Sequence, residues 1–553
     1  MSNRSSSLTL IQYRFFTSIA LMSTHHAPCI FVSRTMVLQW SPKSPDWLGD
    51  HLHLFLTMKL EDVKTHSAVE IMERSDSFPI KFPAHAGRLK ELQNYKDVTT
   101  EYIDRNINSV YPLVHESVLE LFGKFLIFKR DHGSSIEKNF YKDLSLRDFI
   151  NRLLKNRAVM FMGKYDKFLL ITGERGSHNW EKIGTNEEKP PQIIANCISY
   201  DEIKLSAFIY VSSYTYFVNK GDRKNKAVYS SDRSNIQDEG VILGLIGPRL
   251  KKENVMDFQE MVFTPKQNQA SNGYGKLCQN TIHSLFADYF EEDNNDYKEV
   301  IEQRQLLSKE DSTRYTDLSK IGKDYIFDNH IYHKRLTIIF DSLLLEADFR
   351  AKEVGKSAYV HVVGLGLGVW KISDHQEKVY MDCFYSRIIA MKAKINNISD
   401  ICFSYFKEQN CGGYKNGQKI QIAEHPLQGI KIHIYKRDPH EKLHGEHEGK
   451  LLVVTYAWDG NSMPGNEFWD GKLGSSGDSA AASSTQIAEL HNPHIHPGVC
   501  ADNLRVICED SDEILSIGEY QRRIKTKYVK INPLRSCDLQ CEQEKSTKRI
   551  KAE

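Results

Sequence analysis

Residues 451–478 run Leu451-Leu-Val-Val-Thr-Tyr-Ala-Trp458, then Asp459-Gly-Asn461-Ser-Met-Pro-Gly465-Asn466-Glu467-Phe-Trp469, and after four intervening residues reach Gly474-Ser475-Ser476-Gly477-Asp478. The opening octet is apolar and rich in β-branched residues, which is the pattern of a buried strand. Behind Asp478, Ser479-Ala-Ala-Ala-Ser-Ser-Thr-Gln-Ile-Ala-Glu-Leu490 is helix-like. The chain therefore passes from a strand through a glycine-rich loop to a helix N-terminus, carrying three carboxylates and two asparagines on the way. Free helix N–H groups and the helix dipole both attract anions, so this arrangement favours a bound diphosphate. Structural roles compete for the same residues. Asp478 is well placed as an N-cap, Asn461 suits a turn, and Trp458 and Trp469 are candidate core residues.

Working outward, a second glycine cluster, Gly364-Leu-Gly366-Leu-Gly368, directly follows the apolar run Ala358–Val363. Glycines at a strand exit let the backbone approach a phosphate, and ligands of open α/β sheets sit at strand carboxyl ends. The spacing is not that of the dinucleotide fingerprint, and tight packing alone would account for such a turn. Apolar strands at 358–363, 400–405, 430–435 and 451–457 are interspersed with helical segments at 376–395 and 479–490. That alternation predicts an α/β layered core over residues 331–530. It is introduced by a helix carrying Leu336, Ile339, Phe340, Leu343, Leu344 and Ala347 on one face and stopped near Gly355.

Earlier in the chain, residues 46–140 form a helical lead-in and residues 141–287 a β-rich middle segment. The middle segment opens on a helix over 145–155, signalled by Ser145 and Asp148 in a capping-box position. Its strand candidates are 159–162, 168–172, 207–212 and 241–246. Residues 288–330 are polar and are expected to be a linker or exposed insertion, and residues 531–553 are a charged tail. Residues 1–45 contain Arg4, Arg14, Arg34 and Lys43 but no acid. They predict a disordered or targeting-like extension, so the expected location is cytoplasmic, with a mitochondrial alternative.

Lys and Arg total 73 against 72 Asp and Glu, leaving a formal net charge of +1. This balance argues against nucleic acid as the main partner, which demands a basic excess to displace counterions. The 10 cysteines are too scattered for a disulfide scaffold and fit a reducing compartment. Cys537 and Cys541 lack a second pair at zinc spacing, so no metal is expected. There is no apolar run long enough to span a membrane.

The block Ala457–Trp469, with Gly477-Asp478 and Ile487-Ala-Glu-Leu-His-Asn-Pro493 behind it and Val363–Trp370 upstream, resembles the MavL-like class of macrodomains. The likeness extends over roughly residues 140–510. It implies a macrodomain-like core that binds ADP-ribose, and an enzyme that hydrolyses ADP-ribose from arginine side chains of modified proteins without a cofactor. It further implies Asp459, Glu467 and Asp478 as catalytic acids. The implied ligand-binding residues are Gly364, Gly366, Gly368, Asn461, Gly465, Asn466, Gly474, Ser475, Ser476 and Gly477. Asp470 adds a fourth carboxylate that leaves the assignment within the cluster open.

Cleavage of an arginine N-glycosidic bond needs a charge to stabilise an oxocarbenium-like carbon and a proton for the departing guanidine, and crowded carboxylates supply both. Three other readings use different residues. A non-catalytic ADP-ribose reader needs only the glycine loops. An NAD-dependent ADP-ribosyltransferase would draw on Ser212-Ser213 and Gln259-Glu260. A metal-dependent phosphohydrolase would pair the carboxylates with His491, His494 or His496.

Overall fold

A computed structural model describes residues 38–531 except 48, 308–312 and 510–512. The Cys537–Cys541 pair and most of the charged tail lie outside the described residues, as does the greater part of the basic N-terminal stretch.

The fold is α/β and is organised by one ten-stranded mixed sheet. In chain order its strands are β1 (Tyr111–His115), β2 (Tyr210–Tyr216), β3 (Glu239–Leu245), β4 (Ala358–Val362), β5 (Ile398–Ser404), β6 (Lys419–Ile420), β7 (Ile430–Tyr435), β8 (Leu451–Ala457), β9 (Arg505–Ile507) and β10 (Ile514–Ser516). Their spatial order is β6-β7-β5-β4-β8-β3-β2-β1-β9-β10. The block β7-β5-β4-β8-β3 is parallel throughout. The β3–β2 and β2–β1 pairings are antiparallel. Strands from residues 111–245 thus extend the same sheet that the C-terminal strands begin.

The parallel strands are buried on both faces, which is why their sequences read as continuous apolar runs instead of alternating ones. Period 2 nevertheless separates two clusters. Ala358, Val360, Val362, Ile401, Phe403 and Val453 enter the main core, while Tyr359, Cys402, Leu452 and Val454 meet Phe217, Ile236 and Leu443 on the opposite face.

Helix α1 (Glu116–His132) follows β1, and α2 (Asn329–Glu353) crosses beneath β1, β3, β4 and β5. The α2 helix is buried nearly all round, and its charged side chains there are paired: Arg335 with Asp257, Arg350 with Glu346, Asp341 with Arg387. It ends where Gly355 takes a φ of 62°. Helix α3 (His375–Ala390) connects β4 to β5, and α4 (Gly477–Ala482) follows β8. The helix expected over 145–155 is Leu146–Lys155, with Ser145 accepting from the Asp148 N–H at 3.1 Å. The helix expected over 479–490 is instead two short ones, α4 and Ile487–Leu490, separated by a turn.

The segment read as a polar linker carries a helix, Tyr297–Leu306, and the short strands Tyr315–Asp317 and Ile326–Asp328. At the N-terminal side, Arg387 donates to the Trp40 carbonyl at 2.8 Å and to Ser41 Oγ at 3.1 Å, tying residues 40–41 to α3. Among the described residues no helix is long and apolar enough to cross a membrane.

Candidate active site

Within the parallel block, the chain steps from β4 outward to β5 and β7, then returns to place β8 on the other flank of β4. Connections leaving β4 and β8 therefore diverge, which opens a crevice at their carboxyl ends. A cleft of about 710 Å³ lies there. Its floor is Ile242, His361, Val454 and Tyr456, and its walls include Gly364, Gly366 and Gly368 after β4, Ser404–Lys407 after β5, and Asp459 after β8. Ser476, Gly477, Ala480, Ala481 and Ser484 close one side, and Gly221–Arg223 reach in from the loop after β2.

The two glycine loops thus share one cleft. Gly366 has a φ of 74°, and a Cβ there would lie 2.8 Å from the Pro248 carbonyl oxygen, so the turn packs directly on the exit of β3. Gly368 faces open space, with nothing within 4 Å of where a Cβ would stand. Gly474 is packed elsewhere: a Cβ would meet the Arg223 carbonyl oxygen at 2.1 Å, and the Arg223 side chain donates to the Ser475 carbonyl. Gly474 and Ser475 therefore anchor the loop from residue 223 and do not line the cleft.

Three carboxylates meet at the β8 exit. The indole N–H of Trp370 donates to Asp459 Oδ1 at 2.9 Å, and the Asn466 amide donates to Asp459 Oδ2 at 2.9 Å. Asp478 accepts from the backbone N–H of Asp459 at 3.0 Å and of Gly465 at 2.7 Å, closing the loop between them. Glu467 accepts from Ser476 Oγ at 2.6 Å. Burial raises all three pKa values, most of all for Asp478. The Asp459 charge pushes Glu467 and Asp478 further up, while the two side-chain donors and Arg249 work to keep Asp459 ionised.

The N-cap of α4 is Ser476, whose Oγ accepts from the Ser479 N–H at 3.2 Å, and not Asp478. The capping expectation for Asp478 is corrected: the helix begins two residues earlier, and the buried carboxylate is spent on the loop backbone. Asn466, with a φ of 32°, bridges Asp459 to the Phe161 backbone. Asn461 turns away from the cleft and accepts from Arg249 at 2.7 Å. Gly465 supplies the left-handed turn, φ 101°, that Asp478 braces. Asp470 points outward to Arg175 and Lys472.

The histidines behind the loop do not join the carboxylates. His491 is held between Ser213 and Tyr456, His494 bonds the Lys155 carbonyl, and His496 the Ile107 carbonyl. Ser212 and Glu260 likewise bond elsewhere, to Arg350 and Lys204. Tyr405, Phe406 and Lys407 are wall residues that the sequence reading missed. Their signal was present, because they lie at and just beyond the end of the strand expected at 400–405. Glu377, at the start of α3, fixes this wall by accepting from the backbone N–H groups of Lys407 and Glu408. Arg223 had no local signal, since it enters from a distant loop.

The cleft lies at a topological switch point with a glycine turn on one wall and Asp459 on the other, while Glu467 and Asp478 stand behind Asp459 and do not line it; an arrangement of this kind is suited to acid–base chemistry. A family model described as ADP-ribosylhydrolase MavL-like matches residues 69–523, and the chain belongs to that family of hydrolases. It is 41% identical over 460 residues to the ADP-ribosylarginine hydrolase CG2909 of Drosophila melanogaster, a match covering 82% of this chain and 89% of the relative. It is 38% identical over 463 residues to the ADP-ribosylarginine hydrolase CG3568 of the same species, covering 81% and 87% respectively.

Proposed function

We propose that this enzyme hydrolyses the N-glycosidic bond between ADP-ribose and an arginine side chain of a modified protein, using the carboxylate-lined, macrodomain-like cleft at the β4 and β8 exits. The observation that carries the reading is Asp459 in the cleft wall beside the glycine turn, with Glu467 and Asp478 grouped behind it, and the names of the two relatives suggest the linkage. The Gly364–Gly368 turn, with Ser476 and Gly477 opposite, receives the diphosphate. Gly465, Asn466, Gly474 and Ser475 shape the loop that faces it, and Asn461 fixes the base of that loop through Arg249.

In the reaction, water attacks the anomeric carbon as the carbon–nitrogen bond breaks. Glu467 holds a proton because burial and the neighbouring Asp459 charge favour its neutral form, and it delivers that proton to the departing guanidine. Asp459, with a hydrogen-bond donor on each oxygen, is the ionised partner that stabilises positive charge on the ribose and takes up the proton of the attacking water. The products are ADP-ribose and the protein with its arginine side chain restored. Asp478 acts from behind, holding the Asp459 and Gly465 backbone in place.

The test is release of ADP-ribose from an arginine-modified protein, alongside calorimetry with ADP-ribose, NAD and AMP. Turnover on the arginine linkage, with ADP-ribose bound in preference to the other two, supports the reading. Binding without turnover would leave a reader.

A further inference from the structure

We propose that Trp370 is a positioning residue for this reaction: its indole N–H, reaching from the glycine turn after β4 to Asp459 after β8, holds the Asp459 carboxylate in its working orientation. The inference rests on the reading of Asp459 given above and adds a residue from the other wall of the cleft.

The geometry is specific. Asp459 and Trp370 are 89 residues apart in sequence, yet Nε1 lies 2.9 Å from Asp459 Oδ1. Indole is a donor only, so in this contact Asp459 is the acceptor, and the bond is strongest when its carboxylate is ionised. The second oxygen is held by Asn466, so the two donors together define the carboxylate plane. Without Trp370 the group would pivot about its remaining contact. Trp370 is also part of the cleft wall, two residues beyond Gly368. Seating of a ligand against the Gly364–Gly368 turn therefore bears on the same segment that orients the acid, and so couples occupancy of the turn to the chemistry at the β8 exit.

The groups that face Asp459 are known from each neighbouring element. Arg249 comes from the β3 exit, Asn466 and Glu467 from the turn after β8, Asp478 from α4 and Trp370 from the β4 exit. Among the described residues, Trp370 and Asn466 are the donors that bond its side chain, and neither titrates. Removing the indole N–H takes away a bond that favours the charged form, so the acid limb of the pH–rate profile moves to higher pH.

Two replacements separate the N–H from the ring. Trp370→Phe removes the donor and shortens the ring system, while β-(3-benzothienyl)alanine at position 370 keeps the bicyclic shape and replaces N–H by sulfur. Both are expected to lower kcat by about tenfold or more, the usual consequence of losing one hydrogen bond to a working charge, with KM changed much less. Both are also expected to shift the acid limb upward. Full kcat and an unshifted limb in the benzothienyl enzyme would overturn the proposal, showing that only the ring's shape matters. Asp459→Asn in the same assay keeps the two ideas apart. If it retains turnover, the assignment of Asp459 fails, and if it is inactive while the position 370 variants are not, only the role of Trp370 fails.

Discussion

At the scale of single residues, the site is a set of like groups made different by their surroundings. Asp459 accepts two side-chain hydrogen bonds, Glu467 one from a serine, and Asp478 two from the backbone. Asp459→Asn and Glu467→Gln preserve shape but remove charge and proton transfer. Each is expected to slow ADP-ribose release at least ~10²-fold, measured at saturating substrate. The pH dependence follows from Glu467 acting as the acid. Its raised pKa keeps the proton above the ordinary glutamate value of 4.5, and activity falls as pH rises through that raised value. A profile of kcat/KM that is flat on its alkaline side would remove Glu467 from the role. Ser476→Ala tests a structural duty, loss of the α4 N-cap. It is expected to cost about 0.5–2 kcal/mol in a denaturant titration, more than a surface substitution would.

At the scale of elements, the acid-bearing turn is clamped from outside the parallel block. Phe78 and Phe82 from the lead-in pack on Trp469 with ring centroids 5.3 and 5.0 Å away, two residues beyond Glu467. The clamp is locked by Glu489, which accepts from the Leu89 N–H at 2.6 Å and faces Arg88. Trp469 closes it from below by donating to the Pro464 carbonyl at 2.8 Å. Phe82→Ala leaves a cavity under this turn and is expected to destabilise the protein by about 3 kcal/mol. Turnover should fall further than ADP-ribose affinity, because the turn carries Glu467 while the glycine turn is untouched. Equal loss of both, or of neither, would show that the clamp does not act on the acid. The helix over 146–155 was legible from its capping residues, and the strands of the parallel block from their apolar runs. The strand Tyr111–His115 was not, because Pro112 and His115 broke the pattern in a segment dominated by helices.

For the whole molecule, the sheet ties together residues that the sequence reading assigned to separate segments. β1 from the lead-in pairs with β9 near the C-terminus, and Trp47 donates to the Tyr520 hydroxyl at 3.2 Å. Trp47, Leu52 and Phe55 are all buried. A chain restarted at Met58 is therefore expected to lose these contacts and to be several kcal/mol less stable, with each fully buried large side chain contributing about 1.5–3 kcal/mol. A restarted chain that melts at the same temperature as the parent would show that the docking adds nothing.

What the sequence determined by itself is local: the strand into Asp459, the glycine turn after Val363, the helix stop at Gly355, and the motif block that marks the family. These follow from periodicity, propensity and turn chemistry within about 20 residues. Only the tertiary structure decided which loop residues line the cleft. Asn461 was expected at the ligand, but its partner Arg249 lies 212 residues away, and that bond turns it into the core. Asp478 was expected to cap a helix, but two backbone N–H groups of a buried loop claim it first. Buried polar groups must find partners wherever the fold brings them, and sequence distance carries no record of that choice.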